Sequence, residues 1–119
     1  MAKENIILKK TYEFALFIIV IYRDLTENRK EYVLSKQLLR SATSVGANSE
    51  EASAGITKKD FINKYQIAYK EAKESHYWLR LLRDSHLLDE HTATEALFKC
   101  DEIIRILNAI LQSTKLSIS

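Results

Sequence analysis

The sequence predicts an all-α fold, an up-down-up-down antiparallel four-helix bundle, on three observations. Two glycines and no proline among 119 residues, with 46% hydrophobic residues, leave a vocabulary suited to helices and poor in turns and strands. Four stretches carry apolar or small residues at alternating spacings of four and three, the stripe by which a helix faces a core. Only short polar segments separate them, and short connections force successive helices to run antiparallel. A chain of this length supports one core, so residues 1–119 are read as a single domain.

The first helix is expected from about Asn5 to Leu25, its stripe being Leu8, Thr11, Ala15, Ile18, Tyr22 and Leu25. Leu16, Phe17 and Val20 fall on the opposite side, where a bundle helix ordinarily carries charge, so a second subunit is expected there. Asn28 followed by Glu31 has capping-box form and places the second helix just after. Its stripe, Leu38, Ala42, Val45, Ser49, Ala52 and Ile56, is built of small side chains, so the facing backbone must come close. Gly46 in mid-helix costs about 1 kcal/mol relative to alanine, which implies close approach or a bend, and Gly55 stands where a helix C-terminal cap belongs.

Thr57 with Asp60 is a capping box with a shorter acid, so the third helix starts near Lys58 and continues to about Asp84. At 1.5 Å per residue it is about 40 Å long. Phe61, Tyr65, Ala68, Ala72, Ser75, Leu79 and Leu82 form its core face. Thr92 with Glu95 is expected to cap the fourth helix, whose stripe is Ala93, Leu97, Cys100, Ile104, Leu107 and Leu111, widened by Ile103, Ile106 and Ile110.

Composition excludes more functions than it suggests. Eighteen basic and 16 acidic residues give a net charge of only +2, so any electrostatic partnership depends on how charge is arranged. Cys100 is alone and forms no internal disulfide, which points to a reducing, cytoplasmic setting and a buried apolar role. The apolar run Phe14 to Tyr22 is well short of the ~20 residues that span a bilayer, so no membrane association is expected. Glycines only at 46 and 55 allow no phosphate-cradling loop, and neither serine nor cysteine has a histidine and acid at catalytic spacing. Carboxylate metal centres in bundles draw on Glu-x-x-His motifs, and no glutamate precedes a histidine by three, so neither metal nor cofactor is expected. Asn48, Glu51, Glu71 and Glu74 border the small-residue groove, where salt bridges to a neighbouring helix or subunit are the expected use.

Two constellations remain. On the third helix Lys59, Asn63, Gln66, Lys70, Lys73, Tyr77 and Arg80 lie on one outer face without an acid, and on the second Arg29, Lys36 and Arg40 share a face. Cations on a rigid rod suit a phosphate backbone, and Tyr77 can stack on a base, although a merely solvated lysine-rich face has the same pattern. Arg80 and His86 also fit the loose Arg-to-His spacing of helical HEPN ribonucleases, against which Leu81 replaces the usual polar residue and a cationic C-terminal cap is equally expected.

The central stretch resembles a known family. Gln37 to Ser41, Ser44 to Asn48, Glu51, Ala52 and Ala54 are followed by Lys59 to Ile62, Lys64, Ile67, Ala68, Lys70 to Ala72, Glu74, Tyr77 to Leu79, Leu81 and Leu82. That order is similar to the bacterial four helix bundle proteins, which include proteins encoded by intervening sequences in large-subunit ribosomal RNA genes and the accessory variability determinants of diversity-generating retroelements. Where many relatives carry a proline beside the small-residue run, this chain has Gly46 and Ala47. The resemblance implies a homopentameric ring and, by the retroelement branch, RNA or DNA binding, with a reverse transcriptase or another nucleic-acid-handling protein as a possible partner. We therefore expect a non-enzymatic homo-oligomer that binds nucleic acid or scaffolds a protein that does, assembled through Leu16, Phe17 and Val20 and the Ile67, Trp78 and Leu81 flank. A HEPN-like ribonuclease and a purely protein-binding adaptor are the alternatives.

Overall fold

Each periodic stretch becomes a helix, because a stripe of apolar side chains can leave water only if the backbone between them satisfies its own hydrogen bonds. The computed structural model describes the backbone of residues 2–118 and the side chains of residues 5–114. The described residues form α1 (Ala2–Glu27), α2 (Leu34–Ser53), α3 (Lys58–Asp84) and α4 (Glu90–Ile118). They pack as a ring in which α2 touches α1 and α3, and α4 touches α3 and α1. Cross-helix pairs confirm the antiparallel sense: Arg40 meets Glu74 while Glu51 meets Lys64, and Lys10 meets Glu102 while Phe17 lies under Lys99. The rod measures 48 × 21 × 19 Å.

The α3 prediction holds in both bounds and stripe. Thr57 Oγ1 accepts from the Asp60 N–H at 3.1 Å, and Tyr65, Ala68, Ala72, Ser75, Leu79 and Leu82 are buried, with Phe61 half-buried. In α1 the buried stripe is Ile7, Thr11, Phe14, Ile18, Ile21 and Leu25. The expected Leu8, Ala15 and Tyr22 are half-buried one position away, because α1 is apolar on several sides and its spacing alone admits more than one register.

Three helix ends differ from expectation. Asn28 closes α1 instead of opening α2, its Nδ2 donating to Asp24 Oδ1 at 2.7 Å. Glu31 is the capping residue of α2: its carboxylate accepts from the backbone N–H of Val33 and Leu34 at 3.0 Å and of Ser35 at 2.7 Å. Burial alone would raise its pKa, but the hydrogen bonds from Leu34, Ser35 and Val33 together outweigh it and hold Glu31 below the ordinary carboxylate value. At the other end of α2 the cap is Ala54 at φ −94°, Gly55 has no positive φ, and Ile56 leaves the helix to stand 95% exposed. Asp89, three residues before Thr92, caps α4 by accepting the Thr92 N–H at 2.9 Å. On α4 itself Ile103 is buried where Ile104 is half-buried.

Small residues set the spacing of the core. A Cβ built on Gly46 would lie 3.4 Å from Thr11 Oγ1 and 3.5 Å from the Thr11 carbonyl, so the α1–α2 approach is close yet still admits a methyl group. Ser41 and Ser75 join α2 to α3 by a 2.9 Å hydroxyl pair inside the core: one hydroxyl donates to the other, and the accepting one donates to its own helix, to the Leu38 or the Glu71 carbonyl. Along the length of the core Tyr65, Phe14, Ile7, Ile18, Leu38 and Leu79 are wholly buried, the aliphatic and phenylalanine side chains each worth about 1.5–3 kcal/mol of apolar burial. Cys100 is buried as expected, donating to the Ala72 carbonyl at 3.3 Å, with its thiol pushed up to about 12 by burial.

Candidate nucleic-acid interface

The regular twist of α3 brings Lys59, Asn63, Gln66, Lys70, Lys73, Tyr77 and Arg80 onto one exposed side. Lys59, Lys70 and Lys73 form no ion pair among the described residues, so their ammonium groups face water. From Lys59 to Arg80 the stripe is about 32 Å long at 1.5 Å per residue. Its end near Asp84 carries an aromatic cluster. Tyr77 packs edge-to-face on Trp78 with centroids 5.2 Å apart, and the Arg80 guanidinium stands 5.7 Å from the Tyr77 ring.

Arg80 Nε donates to His76 Nδ1 at 3.1 Å, and His76 Nε2 lies 3.0 Å from Asp101 Oδ1 on α4. In that pattern His76 Nδ1 accepts from Arg80 and Nε2 faces the Asp101 carboxylate. It fixes the arginine beside Tyr77. Sequence reasoning gave His76 no role here, and its position on the α4 side of α3, one turn before Arg80, was the available signal.

The α2 cations do not lie on this face of α3. Arg29 lies in the α1–α2 loop because α2 begins only at Leu34, and Lys36 stands exposed on the first turns of α2. Arg40 is engaged on the α2 side of α3, with Nη2 2.7 Å from Glu74 Oε2 and Nη1 3.3 Å from Glu71 Oε2. Its hydrogen bond holds Glu74 below the ordinary range, while burial and the adjoining Glu74 hold Glu71 above it. Glu51 pairs with Lys64 at 2.8 Å, and Asn48 Nδ2 donates to the Ser44 carbonyl at 2.9 Å. The border residues therefore work within and between helices.

The predicted interface residues divide. Leu16 is 50% and Val20 64% exposed on the outer side of α1, joined by Tyr12 at 61%. Phe17 is half-buried against the core, with the Lys99 ammonium 5.4 Å from its ring, so it belongs to the α1–α4 seam. Ile67, Trp78 and Leu81 are half-buried along α3.

Arg80 and His86 are not brought together as a catalytic pair. His86 follows the end of α3 at φ 65°, its N–H bonded to the Arg83 carbonyl and the Leu87 N–H to the Leu82 carbonyl, the double closure of a Schellman motif. It borders a cavity of about 320 Å³ with Arg83, Asp84, Leu88, Asp89 and Glu90, which Arg80 does not line. No set of three histidine, cysteine or acidic side chains among the described residues is placed to hold a metal ion, and none of their helices is long and apolar enough to cross a membrane.

The family model of the 23S rRNA-intervening sequence protein matches residues 3–109. The chain belongs to this family. A solved structure from Bacteroides thetaiotaomicron, described as a protein with unknown function from the S23 ribosomal protein family, is 41% identical. The match covers 92% of this chain and 98% of that one, with a TM-score of 0.91. A search of curated proteins finds no match. Membership of the 23S rRNA-intervening sequence protein family agrees with the resemblance read from the central stretch and with the helical bundle, and it carries no stated activity.

Proposed function

We propose that this chain is a non-enzymatic helical bundle that self-associates and binds nucleic acid through the exposed stripe of α3. The observation that carries the reading is the combination on that stripe of unpaired lysines at 59, 70 and 73 with Tyr77 held between Trp78 and Arg80. Unpaired ammonium groups along a rigid rod release counterions from a phosphate backbone, and a half-exposed ring offers a face to a base. The ion-paired cations Arg40, Lys64 and Arg83 contribute less, since a phosphate would first have to displace a carboxylate.

Self-association is supported by the placing of the two apolar patches. α1 and α3 are diagonal in the bundle, so the outer face with Leu16 and Val20 and the flank with Ile67, Trp78 and Leu81 are separate patches on helices that do not touch. Two unlike patches on one chain join head to tail, and such contacts close into a ring when the rotation fits. The resemblance to the four helix bundle proteins favours a homopentamer as that ring.

A labelled short RNA hairpin, followed by fluorescence anisotropy at low salt, tests the reading. Lys70→Glu with Lys73→Glu should weaken binding at least about tenfold, as expected when two contacts become repulsive. The melting temperature should be unchanged, since neither lysine holds an ion pair. Absence of binding by the parent chain, or equal affinity for the double variant, would reject the proposal.

A further inference from the structure

Both loops that close the Asp84 end of the bundle contain a residue in the left-handed region, and in neither case is it glycine. Lys30 is at φ 57° in the α1–α2 loop and His86 at φ 65° in the α3–α4 loop. Up-down connectivity puts these loops at the same end, within the 21 × 19 Å cross-section of the rod. A side chain at such a φ is strained where glycine is not, and non-glycine residues persist there only where the surrounding structure holds them, most often at functional sites. Histidine is tolerated at such positions better than lysine, so Lys30 is the more telling.

Most of the surrounding acids are engaged by other groups, while Asp84 also acts electrostatically on Arg80 and His86. Asp24 holds Asn28, Glu31 caps α2, Asp84 pairs with Arg83 at 2.7 Å, and Asp89 caps α4. Glu27 and Glu90 also lie here without such a task, so this end is a place of contact more than a pole of net positive charge. Arg29 and Lys30 adjoin Tyr32, 58% exposed, and Val33, 70% exposed, which sets cations beside an aromatic ring on the loop surface. His86 lies six positions beyond Arg80, where the α3 stripe ends.

We infer that the two loops form a second contact for the phosphate backbone of a nucleic acid, with Arg29 and Lys30 as the charged donors, His86 as a hydrogen-bonding group and Tyr32 as a stacking surface. The inference rests on the nucleic-acid reading above. It explains why both turns keep a donor-bearing side chain at a position that favours glycine, and it carries the α3 stripe around the end of the rod.

Lys30→Gly and His86→Gly test it, because relief of backbone strain and loss of contact move two readouts in opposite directions. Each variant should melt about 4 °C higher than the parent, the shift expected when a strained left-handed residue becomes glycine in a domain of this size. Each should bind the RNA hairpin, and a DNA hairpin of equal length, several-fold more weakly. Lys30→Gly should also reduce the slope of log affinity against log salt by about 0.7–0.9, the signature of one lost phosphate contact. Raised melting temperatures with unchanged affinity and slope, while Lys70→Glu with Lys73→Glu still weakens binding, would overturn this inference and leave the α3 reading intact. If the parent chain binds neither hairpin, both fall together.

Discussion

Glu31 is a single side chain on which the start of α2 depends, and removing it tests whether the bundle is held at its helix ends as described. Glu31→Ala leaves the Val33, Leu34 and Ser35 N–H groups without their acceptor. Water can reach this half-buried site and replace part of the loss, so the cost is set near the upper part of the capping range, about 1.5 kcal/mol. At about 2.1 cal/mol/K per residue the unfolding entropy of 119 residues is about 250 cal/mol/K, which converts that cost to a melting temperature about 6 °C lower.

The pH dependence has a fixed sign. The folded-state pKa of Glu31 is below its ordinary value of 4.5, so its contribution is complete above that value and is lost as pH falls through the folded pKa. Thermal unfolding followed by circular dichroism at pH 7 and near pH 3 should show the gap between parent and variant narrowing in acid. A variant within about 0.5 kcal/mol of the parent at pH 7, or a gap that widens on acidification, would refute the capping role.

Gly46→Ala should be neutral or stabilise the protein by up to about 1 kcal/mol, since the added methyl meets Thr11 at contact distance while mid-helix glycine is removed. A loss above 1 kcal/mol in urea unfolding would show the α1–α2 approach to be tighter than drawn. Cys100, with its thiol pushed up to about 12, should resist a thiol-specific reagent at pH 8 and react on denaturation. Rapid labelling of the native chain would contradict its burial. If the chain self-associates as proposed, Leu16→Glu with Val20→Glu should lower its mass by light scattering to that of a monomer, with helix content retained because both positions are exposed. An unchanged mass would remove α1 from the interface.

How much of this was legible in the sequence depended on whether one helix could be read by itself. The α3 stripe from Phe61 to Leu82 was legible because the face opposite it, from Lys59 to Arg80, is polar, and its start because Thr57 and Asp60 act locally. On α1 the apolar residues exceed one face, so spacing alone did not choose between Leu8, Ala15, Tyr22 and the buried Ile7, Phe14, Ile21. Asn28 and Glu31 satisfied a capping pattern, but the same pattern serves a carboxylate that caps the helix itself, and Lys30 at positive φ delays α2 to Leu34. The site was half legible for a related reason. The exposure of Lys59, Lys70 and Lys73 follows from the twist of one helix. The engagement of Arg40 by Glu71 and Glu74, and of His76 by Asp101, depends on how two helices meet.

The salt dependence of hairpin binding puts the α3 stripe to its most direct test. With Lys59, Lys70, Lys73 and Arg80 each displacing a counterion, log affinity should fall with log salt at a slope of about −3 or steeper between about 50 and 200 mM. A flat line, or no binding at the lower salt, would contradict the claim that this face meets a phosphate backbone.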